Sequence, residues 1–132
     1  CLIDDETLIT SDGSSTLRIR DLDNFSIRKN LEVTLDSQPV PRLNELECVD
    51  STIWANVWPT NRIVGINAVN GRVEKVVDAS DLSTKPLRNR NDVLNGIAYN
   101  SDNGNFLLTG KRWPSLFEVE FVKSKNTSTS QD

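Results

Sequence analysis

An all-β fold built from repeated antiparallel meanders is predicted by three observations. Runs rich in β-branched residues, bounded by Asn, Asp, Gly and Pro, recur along the chain. No window carries helical apolar periodicity between a start and a stop signal. Three stretches also align with one another, "LITSDGSSTLRIRD" from Leu8, "IWANVWPTNRIVGIN" from Ile53 and "FLLTGKRWPSLFEVE" from Phe106. Each reads as a strand, a polar or Pro-containing link and a second strand, at a spacing of about 45 to 55 residues, the period of propeller blades. A β-sandwich would also have many short strands, but it does not predict internal similarity.

The elements follow in chain order. "CLIDD" supplies the opening strand of the first unit, and "NFSIRKNLEVTL" follows its "RDLD" turn as a further strand. The second unit opens on "LNELECVD" from Leu43, and its last strand, "GRVEKVVDA", leaves the Asn70-Gly71 hairpin signal. "LNGIAYNS" from Leu94 lines up with "LNELECVD" and opens the third unit. Residues 1–122 are thus expected to form about two and a half to three blades of four-stranded antiparallel meander, an incomplete β-propeller. Too few blades to close a ring leave apolar faces exposed, so the chain reads as the carboxy-terminal part of a larger propeller whose partner is the missing amino-terminal blades. The polar stretch 123–132, with no apolar residue after Val122, is expected to be a disordered tail.

Composition narrows the chemistry. The 132 residues carry a net charge of −4 and no long basic run, which argues against a nucleic-acid partner, and nothing suggests a membrane. Histidine is absent, so any acid/base work falls to carboxylates or lysine, and no metal or cofactor is expected. Two cysteines, Cys1 and Cys48, admit one disulfide if the strands that carry them approach closely, but their number makes no framework. Asn24 and Asn126 head glycosylation triplets, and the chain opens on Cys1, which reads as an internal start.

In "WANVW", Trp54, Asn56 and Trp58 share one face of a strand, while Ile53, Ala55 and Val57 share the other. The second face is plain core; the first is polar and aromatic, and Trp54, farther from the strand end, reads as packing. Laid on the repeat, Asp12, Trp58 and Lys111 become equivalent, with Thr10, Asn56 and Thr109 two residues earlier. Blade symmetry would turn them into a ring of an acid, an indole and an ammonium at one end of the channel. Asp12 also fits a cap of the "SDGSS" turn. Asn44 and Asn95 repeat at the "LN" step, as turn residues or as amides that hold a ligand. Glu45 is a candidate carboxylate, with Glu47 on its face by alternation, and Trp113 before Pro114 is a pocket lid or a cover for the blade edge.

The segments "SDGSSTL", "LNELE", "WANVWPTN", "DVLNGIA" and "TGKRWPSLFEV", in that order, resemble the plant and bacterial type of glutaminyl-peptide cyclotransferase, also called glutamine cyclotransferase. The resemblance implies a five-bladed β-propeller, about half of it present here, that converts an amino-terminal glutamine of peptides and proteins to pyroglutamate and releases ammonia without a metal. It implies that Asn44, Trp58 and Lys111 are pocket residues. Taken with the repeat, Lys111 is expected to be catalytic, and Asn44, Trp58, Glu45, Asn95, Trp113 and Asp12 to bind substrate. The family's catalytic glutamate lies in a Phe-Gly-Glu-Gly motif of an earlier blade that is not in this sequence, so these residues alone are expected to be inactive. Glu45 falls at the corresponding blade position as a related pocket-side carboxylate. The expected compartment is the secretory pathway, the extracellular space or vacuole, or a bacterial periplasm. The alternative from a different class is a non-catalytic peptide-binding propeller.

Overall fold

The computed structural model describes residues 1–82 and 89–124. Three antiparallel sheets follow one another, each a meander in which every strand pairs with the next. The first contains β1 (Leu2–Asp4), β2 (Thr7–Thr10), β3 (Thr16–Asp21) and β4 (Ile27–Glu32). A small hairpin, β5 (Thr34–Leu35) and β6 (Gln38–Pro39), leads to the second sheet. This comprises β7 (Leu43–Val49), β8 (Thr52–Val57), β9 (Arg62–Asn67) and β10 (Val73–Asp78). After a 3-10 turn at Ser80–Leu82, the third sheet has three strands, β11 (Leu94–Asn100), β12 (Asn105–Gly110) and β13 (Phe117–Val119). The aligned pairs of the sequence repeat are β2–β3, β8–β9 and β12–β13. The fourth strand found in the first two sheets is the one the repeat supplied in only two units.

The core lies between the sheets. Ile9, Leu17 and Leu31 of the first sheet meet Leu43, Ile53, Ala55, Val64 and Ile66 of the second. Trp54 and Ile63, on the opposite face of the second sheet, meet Leu94, Ile97, Phe106 and Leu108 of the third. The second sheet is therefore buried on both faces. The alternation read from "WANVW" holds, but its polar-aromatic face is core as well: Trp54 and Asn56 are 6% and 0% exposed. Gly65, paired with Trp54 across β8 and β9, leaves room for the indole. Among the described residues this is propeller-like stacking with no α-helix.

The same turn recurs after β3, β9 and β11. The carboxyl or amide oxygen of Asp21, Asn67 or Asn100 accepts a backbone N–H two residues on, at 2.9, 2.9 and 3.1 Å. The turns close on Phe25, Gly71 and Gly104, all at positive φ. The run "NFSIRKNLEVTL" is not one strand: it breaks at Val33, and Thr34 N–H donates to Gly71 O of the second sheet at 3.1 Å. A disulfide between Cys1, just before β1, and Cys48 of β7 joins the first strands of the first two sheets, with Cα atoms 5.5 Å apart. Of the expected polar tail, residues 125–132, including the Asn126 triplet, lie outside the described residues.

Candidate active site

Sheet register shifts once in β7, between Leu43 and Leu46, and once in β11, between Leu94 and Ile97. A bulge at each "LN" step, Asn44–Glu45 and Asn95–Gly96, breaks the two-residue alternation and re-aims the side chains that it carries. Each bulge faces the end of the neighbouring strand. Trp58, just after β8, donates its backbone N–H to Arg42 O at 2.9 Å, and Lys111, just after β12, donates to Val93 O at 2.9 Å. Arg42 and Val93 each precede an "LN" step, so Trp58 and Lys111 occupy the same site of successive blades, as the repeat indicated.

An open cleft of about 450 Å³ lies at this end of the first two sheets, lined by Ser11, Asp12, Gly13, Arg42, Asn44 and Trp58. That size is ordinary for a small-molecule site. Trp58 is half-buried, ahead of a cis bond to Pro59, while Asn44 is exposed. The "SDGSS" turn of the first sheet is strapped to the second. Gly13, at φ 86°, accepts the Arg42 N–H at 3.0 Å, and Ser11 Oγ donates to Asn44 O at 2.6 Å. Asp12 does cap this turn. Its Oδ1 accepts Ser14 N–H at 3.0 Å and Ser14 Oγ–H at 2.6 Å, and its Oδ2 pairs with the Arg18 guanidinium. The Ser14 hydroxyl first and Arg18 second hold this carboxyl well below the usual carboxylate range.

Asn44, Trp58 and Asp12 thus share one cleft, while the other expected site residues stand elsewhere. Lys111 is exposed one blade further on, outside the cleft wall. Its loop is pinned to the residues before the third-sheet bulge: Arg112 Nε donates to Asp92 Oδ1 at 2.6 Å and Trp113 Nε1 to Asp92 O at 2.9 Å. Trp113 lies against Gly110 and meets Phe117 edge-on at 6.1 Å, so its ring covers its own blade. Glu45 is exposed, whereas Glu47 is half-buried. Partial burial, with a smaller contribution from Glu45, pushes the Glu47 carboxyl up, against a backbone hydrogen bond with Tyr99.

Asn95 belongs to the inter-blade junction, together with Asn56, which the repeat aligned with Thr10 and Thr109 but to which no site role was assigned. Asn56 Oδ1 accepts the bulge N–H of Gly96 at 3.1 Å, tying the second sheet to the third. Asn56 Nδ2 and Asn95 Oδ1 are buried without a partner among the described residues. The available signal for Asn56 was its place between two tryptophans on one face. Nothing local marks Ser11 or Arg42.

A chain of stacked meander sheets with an aromatic and amide-bearing cleft at one end of its first two sheets defines a propeller-like binding or catalytic module. The model of the glutamine cyclotransferase family matches residues 1–121, and the chain belongs to that family. It is 34% identical over 128 residues to a glutaminyl-peptide cyclotransferase of Arabidopsis thaliana, a match covering 95% of this chain and 40% of that protein. The crystal structure of Myxococcus xanthus glutaminyl cyclase superposes with a TM-score of 0.84 at 38% identity, over 89% of this chain and 52% of that one. The chain therefore spans about half the length, or less, of these relatives.

Proposed function

We propose that this chain is the carboxy-terminal part of a five-bladed, metal-independent glutaminyl-peptide cyclotransferase acting on peptides and proteins with an amino-terminal glutamine. The neutral α-amine attacks the side-chain amide carbon, a C–N bond forms, the amide C–N bond breaks, and a proton passes from the amine to the departing ammonia. The step is intramolecular, so holding the side chain in a ring-like pose supplies several kcal/mol of the acceleration. Trp58 presses on the glutamine methylenes and excludes water, and Asn44 bonds the substrate amide or amine. Lys111 stabilises the developing oxyanion or orients the proton-carrying carboxylate.

The observation that carries the reading is the shared backbone bond that sets Trp58 and Lys111 at equivalent blade ends, with Asn44 beside Trp58. In this reading the acid/base carboxylate belongs to the amino-terminal blades; Asp12, the one carboxylate of the cleft wall among the described residues, is engaged by Ser14 and Arg18. The same engaged Asp12 favours the second reading, a peptide-binding propeller without catalysis. The Cys1–Cys48 bridge supports an oxidising compartment, secretory, extracellular or periplasmic.

The test is ammonia release from a Gln-initiated peptide by the full-length protein, in the presence of chelator. Turnover is expected, with Lys111→Ala lowering kcat by about 10²–10³, the usual cost of an oxyanion donor. Trp58→Ala should lower kcat/KM, and residues 1–132 alone should release no ammonia. Peptide binding without turnover would select the second reading, and wild-type rates in both variants would remove these site assignments.

A further inference from the structure

Among the described residues Arg42 is the one cation of the cleft wall, and the chemistry above gives it no role. Its backbone is pinned on both sides: its N–H donates to Gly13 O at 3.0 Å and its carbonyl accepts Trp58 N–H at 2.9 Å. The residue sits at φ 62° and its side chain is exposed. Among the described residues its guanidinium makes no ion pair. Asp12, the only other charged residue of the wall among the described residues, is engaged by Arg18 and Ser14. The cleft wall that includes Trp58 therefore carries one cation without an ion-pair partner among the described residues, on a backbone held at both of its peptide groups.

We propose that Arg42 is a specificity residue that favours peptides whose second residue carries a carboxylate. The inference rests on the cyclase reading of the cleft. Cyclisation needs the α-amine and the side chain of the first residue inside the pocket, so the second residue leaves toward solvent, into which the exposed side chain of Arg42 extends from the wall. A guanidinium binds a carboxylate there through two parallel N–H donors. These 132 residues carry a net charge of −4, so this part of the protein supplies no overall positive field that would favour an acidic peptide, and the Arg42 variants isolate the local cation.

The experiment compares ammonia release from Gln-Glu-Ala and Gln-Lys-Ala by the full-length protein. At low salt the ratio of kcat/KM is expected to favour Gln-Glu-Ala by about threefold to fivefold, the range of a solvent-exposed pair, mainly through KM. It should fall toward unity at about 0.5 M salt as the charges are screened. Arg42→Gln should remove the preference, and Arg42→Lys should retain part of it. Arg42→Asn, a residue that tolerates the left-handed backbone, should also remove it, which separates lost charge from a disturbed turn. A ratio at or below one in the parent protein, or a ratio unchanged in the Gln and Asn variants, would overturn the assignment to Arg42 and leave the cyclase reading standing. Absence of ammonia from both peptides would remove the cyclase reading and this inference with it.

Discussion

Removing the Cys1–Cys48 bridge should be among the most damaging changes outside the cleft. β1 is three residues long and hydrogen-bonded on one side, to β2, so the disulfide is its covalent link to the second sheet. The two cysteines are 47 residues apart, and closing a loop of that length removes unfolded-chain entropy worth about 4 kcal/mol at 25 °C. The double variant Cys1→Ser with Cys48→Ser avoids a stray thiol. Urea denaturation of variant and parent, with m of about 2 kcal/mol per M, should show the midpoint falling by about 2 M. Amide exchange should rise first in β1 and β2, where the lost tether acts. A stability loss below about 1 kcal/mol at unchanged m would refute the reasoning, since it would leave the loop entropy with no consequence.

Glu47→Gln tests the raised carboxyl. A folded pKa above the unfolded value means stability that is fully present below the ordinary carboxylate range and lost as pH rises through the folded pKa. The variant should therefore melt with the parent at acid pH and above it at pH 7, in thermal melts at both; equal melting at pH 7 would refute it. Gly110→Ala would drive a Cβ into the Trp113 indole, displacing its bond to Asp92 and the Lys111 loop that Asp92 holds. Overpacking of this kind costs about 1–3 kcal/mol, read by denaturation, and the full-length variant should also lose ammonia release.

How much could be read before the fold was known follows from what a single strand encodes. Alternation along Ile53–Val57 told which side chains share a face, and it held: Ile53 and Ala55 meet the first sheet, and Trp54 meets the third. It could not tell that both faces are core, because that depends on a neighbour sheet on each side. The repeat likewise aligned Asp12, Trp58 and Lys111; matching backbone bonds bear this out for Trp58 and Lys111, whereas Asp12 caps its own turn. Alternation across Asn44, Glu45 and Glu47 was less secure, since a bulge interrupts it just before Leu46.

The sequence by itself determined the all-β class, the blade-like unit, the family and the equivalence of strand ends, all of which are periodic or local properties of the chain. Tertiary structure decided the bulges at both "LN" steps, the Cys1–Cys48 bridge, the burial of Asn56 and the gathering of Ser11, Asp12, Arg42, Asn44 and Trp58 around one cleft. The physical reason is range. Side-chain alternation belongs to one strand, whereas register, bridging and a shared cleft depend on how separate sheets pack, which no local pattern specifies.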